Sequence, residues 1–270
     1  MKTLFHLLLV FYFFFIPFYS DAQTEKWKGE VIEKTDIPKL KAEYRKIHFT
    51  SKSENFSFTV FCVTFAPDGY RASIIDMPNR DKQSYVQISD LAKRENAYVA
   101  INGGFFTEDF KPAGMCVINS KKLSSYSSQK LLSGTLHISE KGHVILNHRS
   151  DGIPSADFIL QSGPFLVDPG GLMGIQTDQP KFHRRSLLAL STHGELLVLS
   201  TTRTSLYKLA ECLVTQSALF GVNKIERALN LDGGPSTGMF VNMGESSYDN
   251  PEQWPVRNAI LFYPASMEKN

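Results

Sequence analysis

Cysteine is scarce in this 270-residue chain: Cys62, Cys116 and Cys212 lie far apart, each in an apolar stretch. No Cys-x-x-Cys and no Cys/His cluster at metal-ligand spacing occurs, which excludes a zinc-stapled or disulfide-dense fold. The odd count leaves at least one thiol free. The surroundings FCVTF, GMCVI and ECLVT fit small buried hydrophobes, with one disulfide still compatible. An excess of charge is missing as well: 29 Lys+Arg against 27 Asp+Glu leave a net charge of +2. Nucleic-acid binding needs a concentrated basic surface, so no nucleic-acid partner is expected. The phosphate-binding GxxxxGK[ST] and the dinucleotide-binding GxGxxG are both absent, so no nucleotide cofactor is expected. GxSxG and HExxH are absent too, and no Ser-His-Asp set can be assigned from spacing.

What is present begins with an address. Lys2 precedes an apolar run from Leu4 to Phe18, broken only by His6 and Pro17, and Ser20-Asp21-Ala22 follows. A basic start, a short apolar run and a small-x-small site predict a secretory signal peptide over residues 1–22. A membrane-spanning helix needs about 20 apolar residues. The expectation is therefore an exported protein, periplasmic or secreted, with no membrane span after cleavage.

Residues 23–55 are charged and weakly periodic, and read as an N-terminal arm leading into a domain over residues 56–265. Phe56 to Thr64 carries apolar residues on both faces, as a strand buried on two sides does. Further strands are expected over 71–75, 97–101, 114–118, 134–138, 144–146, 158–160, 165–167, 187–190, 195–199, 228–231 and 259–263. Gly, Pro, Asn and Asp punctuate them. One helix is expected over 88–96 with Ser89 as its cap. A second is expected over 205–219, with Thr204 or Ser205 capping it and Gly221 just past its end. The fold class expected is mixed α/β (α+β): a single strand-rich domain with a few helices.

Twice the chain runs helix, short apolar strand, then Asn/Asp-Gly-Gly. The first instance ends in Asn102-Gly103-Gly104-Phe105-Phe106, the second in Asp232-Gly233-Gly234-Pro235-Ser236. Glycines after a strand let the backbone turn sharply and come close to a ligand, with N–H groups that can face an anion. Taken singly, each reads first as a tight turn; together they mark two strand ends that could face one another across a cleft. Gln161-Ser162-Gly163-Pro164 is a polar break between apolar stretches. The Gln161 amide there could meet a sugar hydroxyl or simply bond the turn's backbone. His183-Arg184-Arg185-Ser186 precedes an apolar strand, and an Arg there could hold phosphate or carboxylate bidentately or be one of an exposed pair.

AINGGFF (100–106), QSGP (161–164), RRS (184–186), LNLDGGPS (229–236) and VRNAILFY (256–263) occur in an order that resembles the phosphodiester glycosidase family, over roughly residues 58–264. The resemblance implies hydrolysis of a sugar-1-phosphodiester, of the N-acetylglucosamine-1-phosphodiester type, at the glycosidic carbon. It implies Asp232, Asn102 and Arg185 as catalytic residues. It also implies a substrate-binding surface of Gly103, Gly104, Phe105, Phe106, Gln161, Ser162, Gly163, Gly233, Gly234, Ser236 and Arg257. The family motif usually reads DGGGS. Pro235 replaces its third glycine and removes one N–H. Glu108 or Asp109 is the candidate for a second carboxylate. The expected partner is a carbohydrate phosphodiester or glycan in an envelope or extracellular setting. No cofactor is expected, although a divalent cation held by Asp232 is compatible. Two other readings are a glycan-binding envelope protein that keeps the fold without turnover, and a hydrolase of ordinary glycosides or phosphodiesters.

Overall fold

The computed structural model describes residues 26–265 except Lys82 and Pro154; the expected signal peptide lies outside them. The chain opens with β1 (Lys28–Ile37), β2 (Ala42–Ser51), β3 (Phe56–Phe65) and β4 (Tyr70–Asp76), then helix α1 (Ile88–Arg94) and β5 (Val99–Asn102). The middle holds β6 (Cys116–Ile118), β7 (Lys121–Ser124), β8 (Gly134–Ile138), β9 (Val144–His148), β10 (Phe158–Ser162), β11 (Phe165–Asp168) and β12 (Leu172–Met173). It closes with β13 (Ser186–Ser191), β14 (Leu196–Thr201), helix α2 (Leu206–Thr215), β15 (Ile225–Asn230), β16 (Met239–Asn242), β17 (Ser247–Asn250) and β18 (Asn258–Pro264).

Three sheets result: an eight-stranded one ordered β1-β2-β3-β14-β13-β15-β11-β12, and two five-stranded ones ordered β7-β6-β10-β8-β9 and β17-β16-β5-β18-β4. The pairings are antiparallel throughout these sheets. The molecule is therefore strand-rich as expected but mostly β. The two α-helices among the described residues, of seven and ten residues, make a mixed α/β description coarse.

The large sheet is apolar on both faces. On β3, Val63 and Phe65 join the core shared with the five-stranded sheets, while Phe58, Val60 and Cys62 join a second core under α2. Successive strand residues point to opposite faces, so Leu188 faces the first core and Leu187 and Ala189 the second. This two-sided burial explains the near-continuous apolar runs in β3, β13 and β14.

The expected N-terminal arm is instead the first two strands of the large sheet. Residues 28–37 pair with 42–51, and β2 in turn pairs along the whole of β3. Its pattern hid because β2 buries Tyr44 on one face and then Ile47 and Phe49 on the other. The outer strand β1 is largely exposed.

Helix α2 forms as expected, with the Ser205 hydroxyl accepting from Lys208 N–H at its start. Gly221, past the 3₁₀ turn that follows, is left-handed at φ 81°. Helix α1 differs. Ser89 lies inside it, Gln87 is the cap residue without a side-chain bond, and the Glu252 carboxylate accepts from Ile88 N–H at 3.0 Å. All three cysteines are free and buried. Burial pushes the Cys62 and Cys116 thiols up to about 12.

Candidate active site

Strands β5 and β15 belong to different sheets, yet their ends meet. Asp232 N–H donates to Gly103 O at 3.0 Å, and Asn102 Nδ2 donates to Asp232 O at 2.8 Å. The two motifs are thus stitched together directly and do not face each other across an open cleft. Asn102 is fully buried, and its Oδ1 accepts from Ser186 Oγ at 2.6 Å and Gly238 N–H at 3.2 Å. Its carboxamide therefore ties β5 to the starts of β13 and β16 and to the Asp232 loop. Asn102 is a positioning residue here, with both ends of its amide engaged.

The first Gly-Gly pair is engaged in the same way. Gly103 N–H donates to Asn258 O at 2.9 Å, and Gly104 N–H to Asn258 Oδ1 at 2.9 Å. A Cβ on Gly103 would collide with that Asn258 oxygen, so glycine is required there by close approach. These amides serve the junction, which corrects the expectation that they face a substrate. Phe105 and Phe106 stand half-buried beyond them, and Phe106 meets Phe110 edge-on at 5.0 Å.

Gln161 resolves to its backbone role. Oε1 accepts from Met115 N–H and Ser127 N–H, each at 2.9 Å, and Nε2 donates to Ser127 O at 2.7 Å and Leu132 O at 3.0 Å. All four amide positions are filled, and none remains for a sugar. Ser162 Oγ donates to Asn230 O at 2.8 Å, and Gly163 O accepts from Asn230 Nδ2 at 2.9 Å. Arg257 is a further correction: it is buried, and its Nη1 and Nη2 are taken up end-on by the Asp76 carboxylate.

Chemistry concentrates on the Asp232 loop. Asp232 is half-buried, and its Oδ1 accepts from Gly233 N–H at 2.9 Å. Burial outweighs that bond and the nearby Ser236 hydroxyl, and raises its pKa to about 6. Gly234 N–H donates to Arg184 O at 2.8 Å, leaving that amide also engaged. Arg184 holds the loop from outside through Gly234 O at 3.3 Å, Asn250 Oδ1 at 3.0 Å and Pro251 O at 3.2 Å. Pro235 sits in the 3₁₀ turn Gly234–Ser236, and its carbonyl accepts from Gln253 N–H at 2.7 Å.

Arg185 is half-buried against the same loop. Nε donates to Thr204 O at 3.1 Å and Nη2 to Lys181 O at 2.6 Å. Nη1 has no hydrogen-bond or ion-pair partner among the described residues, and a Cβ on Gly233 would lie 3.9 Å from it. Desolvation lowers its pKa to about 10, which leaves the guanidinium charged at neutral pH. His183 adjoins Gly234, and its pKa is lowered by desolvation and then by Arg185, Arg203 and Lys181. The loop is thus one carboxylate inside a rim of cations. The sequence left open that Arg184 was one of an exposed pair, and it passed over Asn258, although that residue directly follows Arg257.

Among the described residues, neither second-carboxylate candidate bonds to the Asp232 loop. Glu108 is exposed, and exposed Asp109 pairs with Lys111 at 2.6 Å. Among the described residues, no group of three or more His, Cys, Asp or Glu is arranged to hold a metal ion.

Comparison with known proteins follows the same lines. A search of curated protein sequences finds no match. Among solved structures, the catalytic domain of zebrafish N-acetylglucosamine-1-phosphodiester alpha-N-acetylglucosaminidase, auto-inhibited by its pro-peptide, is similar. It matches at a TM-score of 0.60 and 15% identity over 88% of each chain. A hypothetical protein from Synechocystis is similar at a TM-score of 0.52 and 16% identity, covering 83% of this chain and 62% of that one. At these identities the likeness shows the fold. The family model for phosphodiester glycosidases matches residues 95–263, a span from the strand that ends in Asn102 through the Asp232 loop to β18. With that span matched, the chain belongs to the phosphodiester glycosidase family.

Proposed function

We propose that the protein is an exported hydrolase that cleaves the glycosidic bond of a sugar-1-phosphodiester, of the N-acetylglucosamine-1-phosphodiester type. The observation that carries this reading is Arg185 set against the Asp232 loop, its Nη1 3.9 Å from where a Cβ on Gly233 would lie. Around them, the amides of Gly103, Gly104, Gly233 and Gly234 and the side chains of Asn102 and Gln161 are already engaged. The Asp232 carboxylate and Arg185 Nη1 remain to meet a substrate.

A phosphomonoester is a good leaving group, so cleavage at the anomeric carbon asks little of a general acid. It asks instead for a carboxylate against the oxocarbenium-like carbon and a cation against the departing phosphate. Asp232, ionised above about pH 6, supplies the first. It either attacks the anomeric carbon or takes a proton from the incoming water. Arg185 Nη1 supplies the second, and its other two nitrogens are fixed to backbone carbonyls that hold the guanidinium in place. A donor set pre-aimed at developing charge is worth most where water is excluded. Lys181 and Arg203, whose charges also lower the His183 pKa, give the approach a positive potential for an anionic substrate.

The test is turnover of an N-acetylglucosamine-1-phosphodiester beside a matched nitrophenyl glycoside, with and without chelator. Wild type is expected to cleave the phosphodiester, Asp232→Asn to lose at least about a thousandfold in kcat, and Arg185→Gln to lose about a hundredfold in kcat/KM. Near-wild-type turnover by Asp232→Asn would remove that carboxylate from the reaction. Silence on both substrates from the folded protein would favour the glycan-binding reading.

A further inference from the structure

Away from the Asp232 loop, a trough of about 1070 Å³ runs between β4 and the β6-β10-β8 face. No residue of the Asp232–Ser236 loop lines it. Its floor is a cross-strand row: Val117 on β6 pairs with Ile159 on β10, which pairs with His137 on β8. Ile75 and Met115 continue the apolar lining. Strand β4 is the last of its sheet, so this wall has no neighbouring strand. At one end Ala72 N–H donates to Gly142 O at 2.8 Å, closing the trough with the β8–β9 turn.

Two polar atoms in this lining are buried and lack a partner: His137 Nδ1 and Arg71 Nε. Both side chains belong to the closed end, since Gly142 lies against Arg71 Cβ and His137 sits one strand end from the same turn. His137 is 8% exposed, a deep position for an unpaired imidazole nitrogen. Arg71 forms no ion pair among the described residues. Buried polar groups are ordinarily bonded, and those that are not mark a place where a partner is absent. Lys122 and Lys141 add positive charge to the rim, against Glu140 and an Asp157 already bonded to Ser120.

We propose that this trough is a second binding site, for a ligand with a carboxylate or phosphate head and an apolar body. The head accepts from Arg71 Nε and His137 Nδ1 at the closed end, because a guanidinium offers an oxyanion its Nε side-on in a charge-assisted bond. The body lies along Val117 and Ile159, replacing water on an apolar floor. This site stands independently of the reaction proposed for Asp232.

Calorimetric titration of the purified protein with octanoate, octyl phosphate and octanol tests it, with the phosphate and carboxylate arms separating the two head groups. At least one anion should bind saturably and octanol about tenfold more weakly. Arg71→Gln should bring the anion down to the octanol level, while Asp232→Asn should bind like wild type. In the unmodified protein, ¹H–¹⁵N spectra should show shifts at Val117, His137 and Ile159 on addition of the anion. That arm needs no variant and holds even if Arg71→Gln does not fold. Absence of saturable binding by both anions, equal binding of octanol, or shifts confined to the Asp232 loop would overturn the proposal.

Discussion

Asp232 is ionised at neutral pH in a place that penalises charge, and this sets two opposed expectations. Its pKa is raised by burial to about 6, so the unfolded chain gives up the proton more readily than the folded one. The ionised carboxylate thus costs its full amount of stability above about pH 6; the cost fades as pH falls from there and is gone below the ordinary carboxylate value near 4. Asp232→Asn should raise stability at pH 7 by an amount on the order of 2 kcal/mol. Thermal melts should show the gain shrinking toward pH 4. In the wild type, kcat/KM should rise about tenfold per unit up to about pH 6 and level above it, as a base or nucleophile requires. A profile falling through that region would make Asp232 the acid. At this scale the sequence marked Asp232 and Arg185 by residue type alone, and the fold brings them to one neighbourhood. It was not legible for Asn102, Gln161 or Arg257, whose amides and guanidinium look like ligand groups in one dimension. Each proves to be satisfied by backbone or by Asp76 from distant parts of the chain.

Among the elements, those whose apolar period survives in the sequence were readable. Helix α2 shows one apolar face and a Ser cap, and Leu209, Ala210, Cys212 and Leu213 are buried under the large sheet. Leu213→Ala should cost about 2–5 kcal/mol, because the surrounding β strands close the cavity only in part. Chemical denaturation would show it as a lower midpoint with an unchanged slope. The β1–β2 hairpin was not readable, since β2 changes its buried face midway and β1 exposes most of its length. Its anchorage is also non-local: Trp27 is buried in the α2 core, and Lys26 pairs with Glu54 at 2.7 Å and Glu211 at 2.9 Å. The short strands β16 and β17 escaped for another reason. Their residues follow directly on the Asp232 loop, where Gly and Pro signal only a turn.

For the molecule as a whole, the family motifs gave the order of the pieces, while the sheet partners came only from three dimensions. Strand β3 pairs with β14, and β5 lies between β16 and β18. Such pairings join residues more than a hundred positions apart, which makes for slow folding. They also place the Asp232 loop where the eight-stranded sheet and the β16-β5-β18 sheet are fastened together by Asn102, Asn258 and Ser186. Regions that open locally do so because few buried contacts restrain them, and this region has the reverse character. Amide hydrogens of Gly103, Gly104 and Asp232 should therefore exchange as slowly as those of the central strands, which native-state hydrogen exchange measures. Faster exchange there than at Val99 or Leu188 would show that the two sheets part before the molecule unfolds. The seam made by Asn102 has an operational meaning: on heating, the Asp232 loop and the fold should be lost in a single event, so that any turnover the loop supports would decline in step with the folded fraction and serve as a count of intact molecules.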